Sequence, residues 1–367
     1  MILIEVDGKE YTNFSSITVS KSIEDLNGEF EFIANVDASA DPLPFSGGEK
    51  CRALIDGKPI VTGYIENIFV DYDAENHNIT YSGRDKTADI GDSTIGVFDA
   101  INTDISLIDV IKKVISHLGS DIKIVDNVGG LKDFKKDEGP INTDPGENAF
   151  DFIQTLCRKR GVLLTTDGDG NLAITRNSNT KLKGALQNVL NDDVSNNILS
   201  GSLQIDLTKL YNKYEAKSQS STNQFETVDV STENAVDNDG IVLDDSIRKG
   251  RQFAFEVEKV TEEDEIEERA EWEKDVRISR SKVVNAKVEG HSTKFDEVYE
   301  VNKLISIKDV FLNIDSVKLI GSITYFYDSE GGNTTEIGLI HKDSFTNLID
   351  DPTQIKPGSE DDPFAGI

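Results

Sequence analysis

Apolar and polar residues alternate with a period of two over most of the first 90 positions, the spacing that turns one face of a β-strand toward a core. Ile17, Val19 and Ile23 fall on one side of such a run, and Phe30, Phe32, Ala34 and Val36 repeat it after the break Leu26-Asn27-Gly28. Two strands paired as a hairpin are expected here. Residues 51–55 and 60–70 flank Asp56-Gly57-Lys58-Pro59, and Asp-Gly supplies the positive φ angles of a tight turn. With a further strand at 78–82, short strands at this spacing predict a small barrel or sandwich.

Between about residues 100 and 180 the period lengthens to that of a helix. Ser106 and Asp109 fit a capping box ahead of Leu107, Ile108, Ile111, Ile115 and Leu118, and Gly119 suits the left-handed position that ends a helix. A second helix places Ala149, Phe150, Ile153, Leu156 and Cys157 on one face, with Arg158, Lys159 and Arg160 in its last turn, where the helix dipole favours cations. Strands at 122–125, 162–166 and 172–176 supply the sheet that these helices must cover, making a small α/β module.

Strands return after Asn177-Ser178-Asn179: Leu203, Ile205 and Leu207 alternate, and 210–216 follow. The polar stretch 218–239 reads as a loop or irregular insertion. Residues 261–280 predict a helix, with nine acids against two bases in 261–275. Its thin stripe of Ile266, Ala270, Trp272, Val276 and Ile278 leaves much of it facing solvent or a partner, with Trp272 the candidate contact. Strands at 284–288, 304–307, 317–327 and 334–341 complete the β pattern. The last twenty residues, 348–367, hold three of the eight prolines and the run Glu360-Asp361-Asp362. They read as a flexible or partner-ordered extension, with Phe364 and Ile367 as the apolar anchors.

A chain of 367 residues exceeds what one core usually serves, so two to four domains are expected. The 68 acidic against 38 basic residues leave a formal net charge of −30, which excludes strong non-specific binding to nucleic acid or to an anionic membrane. Hydrophobic residues at 37% still suffice for packed cores, so global disorder is excluded too. Cys51 and Cys157 cannot form a disulfide framework or a zinc site. No basic segment precedes a long apolar run, and neither a signal peptide nor a membrane span is expected.

Catalytic constellations are missing. His77, His117, His291 and His341 stand in four separate elements without metal-ligand spacing. Gly91-Asp92-Ser93-Thr94-Ile95-Gly96 imitates half a phosphate loop, but Val97 and Phe98 replace the residues that contact phosphate and magnesium. Asp167-Gly168-Asp169-Gly170-Asn171 starts like an EF-hand, yet Leu172 stands at the obligatory glycine and Ser178 at the bidentate glutamate, so a hairpin turn is the better reading. Cys157 beside His117 would be a nucleophile pair only if exposed, and its place on an apolar stripe argues for packing. No catalytic, cofactor or metal residues are assigned.

Three stretches carry a family resemblance. Tyr81-Ser82-Gly83-Arg84-Asp85-Lys86-Thr87-Ala88-Asp89-Ile90-Gly91-Asp92-Ser93 resembles the "GR-x-K-T-A-D-L-x-D" signature of the Mu-like phage tail protein family, baseplate hubs of contractile tails related to type VI secretion spike hubs. The most specific is Glu147 to Ile153 through Arg158-Lys159-Arg160-Gly161-Val162 to Asp167-Gly168-Asp169-Gly170-Asn171-Leu172, a helix, an "RxxGV" and a "DGxGNL" hairpin. The third is the long strand, glycine turn and returning strand of 320–340.

The resemblance implies a mainly β fold of two related small β-barrels with an α/β module, forming a ring-shaped homotrimer. The boundaries expected are 1–98 for the first barrel, 99–180 for the module, 181–217 and 284–347 for the second barrel, 218–283 for an acidic insertion with a helix, and 348–367 for the tail. It also implies a structural, non-enzymatic role in the virion tail baseplate, after synthesis in the host cytoplasm. The hub would join the hexameric tail tube to the trimeric central spike and contact other baseplate proteins, with DNA passing transiently through a channel lined with carboxylates. The rivals are an acidic β-rich carbohydrate-binding or adhesive protein, which would want exposed aromatics and a calcium loop, and a tail-associated cell-wall hydrolase, which would want a catalytic pair.

Overall fold

The computed structural model describes residues 1–35, 44–73, 77–136, 139–144, 146–190, 196–208, 210–219, 225–231, 247–256 and 263–344. The chain opens with β1 (Ile2–Val6), β2 (Lys9–Tyr11), β3 (Phe14–Ser22), β4 (Glu29–Asn35), β5 (Lys50–Ile55), β6 (Lys58–Tyr72) and β7 (His77–Asp85). Next come α1 (Ala88–Asp92), α2 (Leu107–His117), β8 (Ile124–Asp126), α3 (Ala149–Lys159), β9 (Leu163–Thr166) and β10 (Leu172–Thr175). The remainder is β11 (Lys181–Asn188), β12 (Ile198–Ile205), β13 (Lys213–Gln219), β14 (Phe225–Ser231), β15 (Gln252–Glu256), α4 (Glu263–Ser281), β16 (Lys282–Glu289), β17 (Leu304–Asp309), β18 (Ile314–Asp328) and β19 (Gly332–His341).

The local signals place the early elements. β3 and β4 pair antiparallel, with Ile17 opposite Phe32 and Val19 opposite Phe30, so all four side chains enter one core. Asp56 and Gly57 at the β5–β6 turn have φ of 50° and 80°. Ser106 Oγ accepts from Asp109 N at 3.1 Å to cap α2, and Gly119 beyond that helix has φ 71°.

Two separate barrels do not close. Among the described residues the strands of both halves form one 13-stranded sheet, in the order β12-β16-β19-β18-β3-β4-β7-β6-β5-β1-β2, with β17 pairing β18 and β11 pairing β17. The cause is the antiparallel pairing of β18 with β3, Tyr325 opposite Val19, which links the first half of the chain to the last. One apolar cluster spans both halves, from Ile4, Phe32 and Tyr81 to Ile305, Tyr325 and Leu339.

A second cluster, including Ile90, Ile111, Phe152, Ile153 and Leu172, lies under α2, α3 and the three-stranded sheet β8-β10-β9. Phe152 rather than Phe150 is the buried aromatic of α3: it is 4% exposed, whereas Phe150 is half-buried. Residues 149, 152, 153, 156 and 157 make the tighter stripe, and Phe150 lies beside it. Residues 225–231, within the expected irregular stretch, form β14 and pair with β13, which also pairs β15 in a small separate sheet. Only the five polar residues 220–224 separate β14 from β13 in the sequence, and they carry no Gly or Pro turn signal. Residues 220–224 and 232–246, and the tail with Phe364 and Ile367, lie outside the described residues.

Candidate interaction surface

The first signature stretch is a structural knot. Asp85, 1% exposed at the end of β7, accepts from Gly28 N at 2.7 Å through Oδ2 and from Thr62 N at 2.8 Å through Oδ1. Its own N–H donates to Gly28 O at 2.9 Å. One carboxylate thus ties β7, β6 and the β3–β4 connection together. Burial pushes the Asp85 carboxyl up to about 6, against the pull of Lys21 and the two N–H donors. Burial likewise lowers Lys21, which nearby Asp85, Asp167 and Glu300 partly offset. Arg84 reaches the other way: Nε donates to Glu66 at 2.7 Å and Nη2 to Asp92 at 2.6 Å, fastening β6 to α1. The Arg84 hydrogen bond holds Asp92 below the usual carboxylate range.

The second stretch locks the module to the sheet. Arg160 lies 3.8 Å over the Phe134 ring and donates to Lys132 O at 3.0 Å. In the β9–β10 turn, Asp167 Oδ1 accepts from Asp169 N at 2.9 Å and Asn171 N at 2.8 Å, which builds a hairpin. The turn docks on β6, where Thr62 Oγ1 donates to Gly168 O at 2.7 Å. A Cβ on Gly168 would stand 1.9 Å from Pro59 O, so only glycine allows this approach. Gly168→Ala is expected to keep both cores but loosen the module from the sheet; faster hydrogen exchange at Thr62 and Lys86, with little change at buried α3 amides, is the check.

The other proposed chemistry is not assembled. Cys157 is 1% exposed and burial pushes its thiol up to about 12, while His117 is exposed and meets the Phe98 ring edge-on at 5.5 Å. His291 is buried between Thr335 Oγ1 at 3.0 Å and Asn333 Oδ1 at 3.1 Å. Among the described residues no group of three or more His, Cys, Asp or Glu side chains could hold a metal, and no helix is long and apolar enough to cross a membrane. Trp272 is half-buried and packs with Val276 of α4 against Ile23, Leu319 and Ile340, so it ties α4 to the main sheet.

The eight strands from β12 to β6 make a ribbon with one face in the core. On its other face, register places Ser20 opposite Thr324, and Thr18 opposite Glu31, itself opposite Ser82. Ser322 and Ser202 are exposed on the same face. Hydroxyl groups share this face with the exposed carboxylates of Glu29 and Glu31. Arg84 pairs with Glu66, and Lys287 lies 3.5 Å from Glu336. Sequence reasoning missed this surface because alternation marks the buried side of a strand and leaves the other side only as "polar".

The two long strands of the ribbon are near copies. β6 and β18 both have 15 residues and follow six-residue strands, β5 and β17. Both carry a bulge near the middle, between Ile65 and Asn67 and between Ile320 and Ser322, and both return through an antiparallel hairpin. They differ at the edge. β18 pairs β17 with residues 314–319 and β3 with 322–328. β6 pairs β5 with 58–64, while beside 66–72 there is, among the described residues, no strand opposite β7. β12, at the far end, pairs β16 and, among the described residues, no second strand.

A domain-spanning match defines the class of protein to which this geometry belongs. Residues 1–85 match the family model of the Mu phage baseplate assembly protein GpP-like N-terminal domain, 87–176 that of the baseplate hub protein gp44-like second domain, and 262–347 that of the Mu phage baseplate assembly protein GpP fourth domain. The chain is 23% identical over 363 residues to baseplate hub protein gp44 of Escherichia phage Mu, covering 98% of this chain and 92% of that one. The 43 kDa tail protein of prophage MuSo2 from Shewanella oneidensis superposes with a TM-score of 0.77 at 25% identity, over 95% of this chain and 99% of that chain. A tail protein from Neisseria meningitidis MC58 gives 0.79 at 16% identity, over 94% and 98%. The fold is that of phage tail proteins. The chain belongs to the Mu-like phage tail protein family and is a structural baseplate hub, not an enzyme.

Proposed function

We propose that the chain acts as a homotrimeric ring that joins the hexameric tail tube to the trimeric central spike, with DNA passing through its channel. The observation that carries this reading is a pair of edges, one on β6 and one on β12, that no strand fills among the described residues. Exposed edges are a liability unless a neighbour fills them. β12 relates to β16 as β3 relates to β4, so β12 of a neighbouring copy can fill the β6 edge as β3 fills the β18 edge. A head-to-tail contact of this kind generates a ring when its rotation closes. Each copy would then supply two near-equivalent barrel-like halves, the first near 1–98 and the second from 181–217 and 284–347, giving six positions from three chains. The module 99–180, the insertion 218–283 and the tail 348–367 would be appendages to that ring, with Phe364, Ile367 and Trp272 kept as contacts for spike or baseplate partners.

The outer face of the ribbon becomes the channel wall in this arrangement, where the exposed Glu29 and Glu31 stand among the hydroxyl side chains and would supply the carboxylates expected along the channel. Carboxylates there repel phosphate and so avoid trapping passing DNA.

Matching β6 to β18 at their bulges sets Asp71 opposite Ser202 of the next copy, as Phe326 lies opposite Thr18. Directly opposed residues bring their Cβ atoms within about 5.5 Å, in reach of a disulfide after small adjustment. Asp71→Cys with Ser202→Cys is expected to give covalent trimers on oxidation, while either substitution alone gives none. Trimers in light scattering without any such cross-link would refute the edge pairing, and a strict monomer in the presence of tube and spike proteins would refute the ring.

A further inference from the structure

We infer that the docking of the β9–β10 turn on β6 is a proton-operated joint: it closes in mild acid, when Asp85 is protonated, and loosens toward neutral pH, when Asp85 is ionised. The joint holds the α/β module to the main sheet, and charges from three parts of the chain meet there.

Lys21 of β3 stands at the centre. Its Nζ donates to Ile60 O of β6 at 3.4 Å. Burial opposes its charge, while Asp85 at the end of β7, Asp167 in the β9–β10 turn and Glu300 between β16 and β17 favour it, and Lys58 opposes it. Lys58 Nζ itself lies 2.6 Å from Glu300. The three carboxylates thus belong to the first half of the sheet, to the module and to a connection of the second half. Beside the turn, Arg52 Nη2 lies 3.6 Å from Asp169, and the Lys86 side chain passes Gly170 so closely that a Cβ there would stand 2.9 Å from it.

Thr62 links Asp85 to the turn. Its N–H donates to Asp85 Oδ1 at 2.8 Å, its Oγ1 donates to Gly168 O at 2.7 Å, and its carbonyl accepts from Lys86 N at 3.1 Å. A Cβ on Gly170, which has φ 71°, would come within 2.3 Å of that same carbonyl, so the turn rests on Thr62 at two points.

The sign of the proton effect follows from what docking brings. The docked turn sets a second carboxylate, Asp167, near Asp85 and excludes water from the junction, and both changes favour the neutral acid. Burial chiefly, with Asp167 adding to it, pushes Asp85 up to about 6 against the pull of Lys21 and of the Thr62 and Gly28 N–H groups. With the turn lifted away the Asp167 charge recedes and water returns, so Asp85 holds its proton less tightly. A proton bound more tightly in the docked form stabilises that form, and the stabilisation is lost as pH rises through about 6. Protonation also leaves Lys21 and Lys58 facing only Asp167 and Glu300, which balances the charges at the junction.

Hydrogen exchange on the full chain tests the joint, corrected for the intrinsic pH dependence of exchange and read at the Thr62 and Lys86 amides relative to buried α3 amides. Opening at Thr62 and Lys86 in the wild type is expected to rise about fivefold from about pH 5 to 7, the change produced when docking makes Asp85 hold its proton about tenfold more tightly. Asp85→Asn, which cannot titrate, is expected to open equally at both pH values. Asp167→Asn keeps the Oδ1 acceptor that builds the hairpin but removes the charge, and is expected to shrink the rise to less than about threefold. A wild-type ratio that stays flat or falls with pH, a rise that persists in Asp85→Asn, or an Asp167→Asn profile identical to the wild type's overturns the joint. A rise shared equally by the α3 amides is loosening of the whole fold and overturns it too. Should Asp85→Asn fail to fold, the wild type and Asp167→Asn decide between them.

Discussion

Phe152→Ala is expected to destabilise the folded chain by about 3–5 kcal/mol, the range for truncating a buried aromatic. The ring is 4% exposed, sits on α3 between Asn148, which caps the helix by accepting from Phe150 N and Asp151 N, and the buried Leu156, and meets Phe98 at 6.3 Å. No neighbouring helix can slide to refill the space, because α3 is fixed at its N-terminus by Asn148 Nδ2 donating to Gly91 O at 2.5 Å and Ala149 N donating to Ser93 O at 2.9 Å. Phe150→Ala is expected to cost about 1 kcal/mol, since a half-buried ring loses less contact and leaves no closed cavity. Urea unfolding of both variants checks the difference. Equal losses would show that the two rings share the burial.

Asp85→Ala is expected to cost about 2–4 kcal/mol at neutral pH. It leaves the N–H groups of Gly28 and Thr62 buried without their acceptor, at about 1–3 kcal/mol each. Part of this is offset, because the ionised carboxylate is itself held against burial. That opposition has a pH signature. The folded-state value near 6 lies above the ordinary 3.8, so the folded chain binds the proton more tightly than the unfolded one. The stabilisation from this group is therefore complete below about 3.8 and disappears as pH rises through about 6. Unfolding of the wild type relative to Asp85→Asn, followed from pH 4 to 7, is expected to show the wild type losing its relative advantage as pH rises. A rising or flat difference would contradict the buried, raised carboxyl.

Several elements were legible because their signals are local. The Asp56-Gly57 turn, the Ser106 cap and the Asp167–Asn171 hairpin each depend on residues within a few positions of one another, so the same physics acts in a short peptide as in the fold. The α3 stripe was legible to within one residue, and it failed at Phe150 because 3.6 residues per turn leaves positions 150 and 153 on neighbouring but not identical lines. β14 was not legible, because four of its seven residues are polar and the short connection from β13 carries no Gly or Pro turn signal.

What the sequence determined by itself is most strands of the main sheet and the module, the helices α2, α3 and α4, and the two motifs whose residues proved to be the knots at Asp85 and Gly168. Only the tertiary structure decided that β3 pairs β18, which merges two expected barrels into one sheet. It also decided that, among the described residues, no strand fills the outer edges of β6 and β12, and that Ser20, Thr324, Thr18 and Ser82 share one face with Glu31. Each of these depends on which strands become neighbours across hundreds of residues. Strand pairing uses backbone groups that every residue carries, so the sequence labels a strand far more clearly than it labels the partner.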